Sequence, residues 1–317
     1  MITENIHSEL FITLERGFLH WLETMGYSLS TVETRRRSIR EFLLYLERCE
    51  INSVEKITTY KTGRFVRYLK RRENKQYGSG LSTASINVGI STVNKFFEYL
   101  RQSEAGTAVP DNLSYLKENY HPKGILTQGD IMVLYDATYY QGHFARPETQ
   151  SLQRAISQRD RAMLGIYYGC GLRKSEGTAL DVSDILTQRG LVHVRKGKGS
   201  KERYVPVTGN NLYYINEYLQ YGRDFLVSIS SFSTEAFFIN QHGERCSDQA
   251  LTARLRRLVK NSSNGSLQGK HPSLHTLRHS IATHLMQSGM AIELIQQFLG
   301  HQSLESTQIY THLANEF

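Results

Sequence analysis

Over residues 82–100 the chain places Ile86, Ile90, Val93, Phe96, Phe97 and Leu100 at intervals of three and four. That spacing puts them all on one side of an α-helix, and such a stripe must be covered by other apolar surface. The same period recurs earlier, in Val32, Ile39, Phe42, Leu43 and Leu46 and again in Phe65, Val66 and Leu69. Ser30 followed by Glu33 has the form of a capping box that opens the second of these helices. With a preceding helix over residues 9–24, four helices predict a small bundle across residues 1–105.

Residues 103–126 interrupt the periodicity with Gly106, Pro110, Asp111, Asn112, Pro122 and Gly124, which predicts a linker over 106–126. From Thr127 the pattern changes. Helical stretches alternate with strand-like segments at 191–195 and 203–207, joined by the glycine-rich turn 196–200. The expected fold is therefore mainly α, with a small β-sheet confined to a second, α+β domain over 127–317. Residues 141–157, polar and containing Pro147, are expected as an exposed insertion between two helices.

Hydrophobic residues make up 39% of the 317 and charged residues 21%, with only 5 Pro, so a packed core is expected and disordered or proline-rich readings fail. No apolar run approaches the roughly 20 residues of a membrane span. The N-terminus interrupts its apolar residues with Glu and Arg and offers no small-residue cleavage site, so a cytoplasmic protein is expected. Cys49, Cys170 and Cys246 are far apart and form no CxxC pair; all are expected as buried small hydrophobes.

The formal charge is +8, which points to a polyanionic partner, either nucleic acid or an acidic membrane surface. Arg35, Arg36, Arg37 and Arg40 cluster on one predicted helix, and Arg64, Arg67, Lys70 and Arg71 on the next. Runs of this kind commonly form a solvated face. Here they lie opposite apolar stripes on short helices, an arrangement suited to phosphate contacts that release condensed counterions. With 16 Lys and Arg against 12 Glu, residues 1–105 carry +4 of the +8, so the basic charge is divided equally with the remainder.

Four pieces of the second domain hold polar groups that solvation alone does not explain. In Gly169-Cys170-Gly171-Leu172-Arg173, two glycines release the chain from a helix and let Arg173 emerge. The turn from Lys196 to Arg203 presents Lys198 between glycines, with Lys201 and Arg203 beyond it as further phosphate contacts. His275 and Arg278 share a face at the start of a helix whose buried stripe is expected to be Leu277, Ile281 and Leu285. Gly300 ends another helix; His301 follows at once and Tyr310 nine residues later. His275 and His279 also invite a metal reading, together with His284, His301 and His312. No carboxylate or Cys is in ligand register with that pair, and Arg278 sets a fixed cation between them, so no metal is expected. Arginines, a lysine and histidines converging with a tyrosine describe instead a pocket for a phosphate whose charge grows in a transition state.

In GLRKSE, GKGSKER, HTLRHSIATHL and LGHQSLESTQIYTH the chain resembles the tyrosine recombinases, the phage-integrase family, and most nearly its Xer-like members. The motifs stand in family order, with 25 residues from Arg173 to Lys198, 3 from His275 to Arg278 and 23 on to His301. The resemblance implies an N-terminal helical core-binding domain, a linker and an α/β-containing catalytic domain. It implies that Tyr310 attacks a DNA phosphodiester to form a 3′-phosphotyrosyl link and expel a 5′-hydroxyl. Arg173 and Arg278 would hold the non-bridging oxygens, Lys198 would protonate the departing oxygen, and His275 and His301 would hydrogen-bond the phosphate and move protons. Glu176 matches an acidic position expected to orient neighbouring groups. The implied partner is double-stranded DNA, bound by a homotetramer on paired sites or by an assembly with a related recombinase; no cofactor is implied. Integration or excision, inversion and dimer resolution would all use this chemistry. A non-catalytic DNA-binding protein on the same fold is the alternative, and a metal-dependent hydrolase a more distant one. Two departures stand out: the sequence ends seven residues after Tyr310, where Xer-like relatives continue into a helix that docks on a neighbouring protomer, and residues 141–157 exceed what compact members carry.

Overall fold

The computed structural model describes residues 5–74, 78–103, 109–117, 124–139, 146–195, 202–207, 209–232, 234–262 and 264–300. Two compact units, Met1–His121 and Pro122–Phe317, divide the chain.

In the first unit, α1 (Glu9–Thr24), α2 (Leu29–Arg48), α3 (Thr59–Arg71) and α4 (Thr83–Gln102) enclose one apolar core, with a short hairpin of β1 (Glu73–Asn74) and β2 (Ser79–Gly80) between the last two. Each helix starts where a Ser or Thr in extended conformation accepts from a first-turn amide: Ser8, Ser28, Thr58 and Ser82. The cap of α2 is thus Ser28, and the expected capping box at Ser30 and Glu33 does not form. Ser30 already lies inside the helix, while Glu33 sits 3.3 Å from Arg36 Nε and 3.4 Å from Arg37 Nε. The expected stripes fill the interior, where Phe42 meets Phe65 at 4.9 Å and Phe18 meets Phe96 edge-on at 5.4 Å. Cys49 departs from expectation: it is exposed, because it follows the last turn of α2 on its outer side.

Part of the stretch read as a linker is fastened to α4. The Asn94 side chain accepts from Leu113 N–H at 2.7 Å and donates to Leu113 C=O at 2.9 Å; Asn87 does the same for Leu116 at 2.9 and 3.0 Å. Each asparagine satisfies a main-chain donor and acceptor as a neighbouring strand would.

The second unit opens with α5 (Gln128–Asp136), capped by a true capping box between Thr127 and Asp130. Next comes α6 (Pro147–Leu164), with Pro147 in its first turn. This corrects the reading of 141–157 as an exposed insertion: from 147 onward these residues are helix, and Ala155, Ile156 and Ser157 are buried. Proline marked a helix start rather than a loop. The polar sequence of α6 misled for a second reason, because Arg159, Asp160 and Arg161 are buried and paired. Arg161 meets Glu217 at 3.0 Å, and Asp160 lies between Arg159 and Arg254.

A π-helical turn at Gly165–Gly169 redirects the chain into α7 (Lys174–Thr178). The antiparallel sheet follows, ordered β3 (Ile185–Leu186), β4 (Leu191–Val194), β5 (Arg203–Pro206), with Val192 opposite Val205 and Val194 opposite Arg203. Then come α8 (Gly209–Glu217), α9 (Asp224–Ser228), α10 (Asp248–Asn261), α11 (Gly265–Lys270), α12 (Leu274–Gln287) and α13 (Ile292–Leu299). Among the described residues no helix is long and apolar enough to cross a membrane. In α12 the expected stripe is corrected. Ile281 and Leu285 are half-buried, and the buried face holds Leu274, Leu277, Arg278 and Ala282. A charged side chain occupies a core position.

Candidate active site

Arg278 is 1% exposed, the largest fully buried side chain described. Its Nη1 donates to Gly171 C=O at 2.6 Å and its Nη2 to Leu299 C=O at 2.8 Å, while Glu176 Oε2 stands 3.9 Å away. Main-chain carbonyls thus hold the guanidinium from two sides, with the Glu176 carboxylate at ion-pair distance. Two of the site's acceptors, Leu299 C=O and Gly300 C=O, lie at the C-terminal end of α13, where the helix dipole favours cations.

Arg173 arrives from the other side, as the extended residue capping α7. Its N–H donates to Glu176 Oε2 at 2.8 Å, its Nη1 to Oε1 at 2.7 Å, and its Nη2 to Gly300 C=O at 2.8 Å. The approach requires glycine at 171. Its φ is +59°, and a Cβ there would meet Leu299 and Phe298 at 3.0 Å.

Arg203, expected as a phosphate contact, turns toward Glu176. Nη1 and Nη2 reach Glu176 Oε1 and Oε2 at 3.0 and 2.9 Å, a two-pronged pairing with an almost fully buried carboxylate. The sequence carried a signal for this: Arg203 and Val205 are two apart in a strand and so share its inner face, whereas Tyr204 points out. Three guanidiniums thus converge on the Glu176 carboxylate. Burial pushes the Glu176 carboxyl upward, but the hydrogen bonds and charge of Arg203, with those of Arg173, outweigh it and hold the pKa at about 2. It is ionised throughout the neutral range.

His275 lies in the first turn of α12, capped by Ser273, with its ring 4.3 Å from that of His279. The ring shows an edge to solvent, yet desolvation, then the charges of Arg278 and Arg173, lower its pKa below the usual histidine value. His279 falls further, to about 4, through burial and then the charges of His275 and Arg278. Both are neutral at pH 7 and able to accept a proton.

A pH dependence follows from His279. The unfolded chain takes up this proton near pH 6.5, whereas the folded site resists it until about 4. The group's contribution to stability is complete above pH 6.5 and lost as pH falls toward 4. Urea-unfolding midpoints are expected to drop across that window, and to drop less in His279→Gln.

On the first unit, Arg64, Arg67, Lys70 and Arg71 are exposed along α3, and Arg36 and Arg37 are exposed on α2. Arg35 is held inward, 3.4 Å from the hydroxyls of Ser91 and Thr92, and Arg40 donates to Asn5 at 3.0 Å. Lys198, Lys201, His301 and Tyr310 lie outside the described residues. The structure thus brings Arg173, His275 and Arg278 together, and adds Glu176 and Arg203 to them.

Guanidiniums gathered around one carboxylate, with neutral histidines alongside, have the chemistry to hold an oxyanion. Comparison with known proteins gives the family of the chain. The pattern of the phage integrase family matches residues 144–316, and that of the phage integrase N-terminal SAM-like domain matches residues 16–104. Tyrosine recombinase XerD of Oceanobacillus iheyensis is 31% identical over 299 residues, covering 93% of this chain and 92% of its own. Tyrosine recombinase XerD of Corynebacterium glutamicum is 30% identical over 295 residues, with 93% and 91% covered. In fold the chain is similar to the XerH site-specific recombinase bound to palindromic difH substrate in a post-cleavage complex, with a TM-score of 0.71 and 18% identity over 100% of this chain and 96% of that one. The chain belongs to the phage integrase family, the site-specific recombinases of the tyrosine class.

Proposed function

We infer that this chain cleaves and rejoins strands of duplex DNA through a covalent 3′-phosphotyrosyl intermediate on Tyr310. The observation that carries the reading is the convergence of the Arg173, Arg203 and Arg278 guanidiniums about the Glu176 carboxylate. Such a cluster of guanidiniums suits a phosphodiester, which gains negative charge as a fifth oxygen approaches phosphorus.

In the proposed step the Tyr310 oxygen bonds to phosphorus and the bond to the 5′-oxygen breaks. The phenolic proton leaves toward a neutral histidine, His275 or His301, and Lys198 supplies a proton to the 5′-oxygen. A free tyrosine has a pKa of about 10, so nearby cations are what make its oxygen nucleophilic at neutral pH. The phosphotyrosine ester conserves the energy of the broken bond, and attack by a 5′-hydroxyl reverses the step.

Residues 1–105 serve in this reading as the core-binding domain, 106–126 as the linker and 127–317 as the catalytic domain. The exposed Arg36, Arg37, Arg64, Arg67, Lys70 and Arg71, together with Lys201, contact phosphates. Exchange between two sites cuts four strands, which calls for a tetramer of this chain, or of this chain with a related recombinase, on paired sites. The reaction places the protein with DNA in the cytoplasm.

Incubation with sheared source DNA in excess chelator, followed by denaturation, is expected to leave DNA covalently attached to the protein. Mass spectrometry should find the nucleotide on the peptide containing Tyr310, and sequencing of the DNA gives the target site and with it the biological task. Bound but never covalently attached DNA would favour the non-catalytic reading. Attachment lost in chelator would favour a metal-dependent reaction.

A further inference from the structure

Arg203 belongs to the sequence region read as phosphate-binding, yet its side chain is 11% exposed while the neighbouring Tyr204 is 55% exposed. Its guanidinium faces Glu176 end-on, giving each carboxylate oxygen one hydrogen bond. Arg173 bonds the same two oxygens through its N–H and Nη1. With both oxygens fixed by Arg203, the acceptor that orients Arg173 Nη1 cannot rotate away. Arg203 also packs against the place where the chain leaves α13. A Cβ on Gly300 would fall 2.8 to 2.9 Å from its Nε, Cδ and Cζ, and the Gly300 carbonyl is the second acceptor of Arg173.

We propose that Arg203 is a positioning residue of the strand-cleavage reaction: it acts through Glu176 and the Gly300 turn to fix the guanidinium of Arg173 against the scissile phosphate. The role rests on the recombinase reading above. Among the described residues, the charged groups facing Glu176 are Arg173 from the cap of α7, Arg203 from β5 and Arg278 from α12. Without Arg203, burial is opposed by fewer cations and the carboxyl titrates nearer neutral pH. A protonated Glu176 turns one oxygen into a donor and releases Arg173. Cleavage by an Arg203 variant is therefore lost as pH falls and regained as it rises, over a range in which the wild type keeps Glu176 ionised.

The test is single-turnover adduct formation on a nicked duplex carrying the recovered target site, at saturating protein, between about pH 5.5 and 8.5. Arg203→Met is expected to slow the reaction about 10²-fold at pH 7, the scale on which a displaced catalytic group acts, with DNA affinity changed less than about threefold. Its rate should climb with pH more steeply than that of the wild type, and adding Glu176→Gln should abolish that extra climb. Arg203→Lys keeps the charge but not the fork; it should react faster than Arg203→Met and more slowly than wild type, and it serves if the Met variant fails to fold. Wild-type rates and pH profiles in both variants, with weakened DNA affinity and a salt slope smaller by about 1, would make Arg203 a phosphate contact and overturn the role. A wild type that forms no adduct would overturn the recombinase reading and this role with it.

Discussion

Arg278→Ala is expected to bind DNA within about threefold of wild type and to form the covalent adduct about 10³-fold more slowly, the upper range for losing a donor aimed at developing charge. The carbonyls of Gly171 and Leu299 fix the buried guanidinium in place, a preorganised donor for the phosphate. An interaction that strengthens as phosphorus gains a fifth oxygen contributes to rate more than to ground-state binding. Stability should fall by about 2–5 kcal/mol, since the substitution empties the volume of a fully buried side chain and leaves the Gly171 and Leu299 carbonyls without their donor. Arg278→Lys retains the charge but cannot span both carbonyls, and should lie between the two. Comparing single-turnover rates with equilibrium affinity separates these effects. Equal losses in both would mean that Arg278 merely holds DNA.

Tyr310→Phe should form no adduct at all, a loss on the order of 10⁵ or more, because it removes the atom that bonds to phosphorus and nothing replaces it. DNA binding should persist with its ordinary salt dependence, since the phenol oxygen contributes at most one contact among many. A denaturing gel of protein with end-labelled nicked duplex reads both variants side by side. Adduct from the Phe variant would move the nucleophile to another of the chain's tyrosines.

Much of this architecture could be read from the chain because its elements are locally consistent. In the first unit, apolar spacing and polar caps agree, and Ser82 with the stripe from Ile86 to Leu100 marks α4 almost to the residue. The two longer strands were legible for a similar reason, since β4 and β5 alternate around a glycine-rich turn. The failures fall where tertiary contacts override local chemistry. Nothing nearby in sequence shows that Arg159, Asp160 and Arg161 of α6 are buried, because their partners Ile239, Arg254 and Glu217 lie more than fifty residues away. In the site, the motifs drew attention to Arg173, His275 and Arg278, and Glu176 was anticipated in an orienting role. For Arg203 the charge points to phosphate, whereas the alternation of its strand, shared with Val205, directs its side chain to Glu176.

The carbonyls of Gly171, Leu299 and Gly300 that grip the two arginines belong to the backbone, and no side-chain replacement deletes a backbone carbonyl. Leu299 can therefore exchange for another apolar residue of similar size without altering what Arg278 touches. At Gly171 and Gly300, where φ is positive, a substitution instead displaces the carbonyl by reshaping the turn. Inactivating lesions are thus to be sought at two glycines that present no functional group, alongside the charged residues that do.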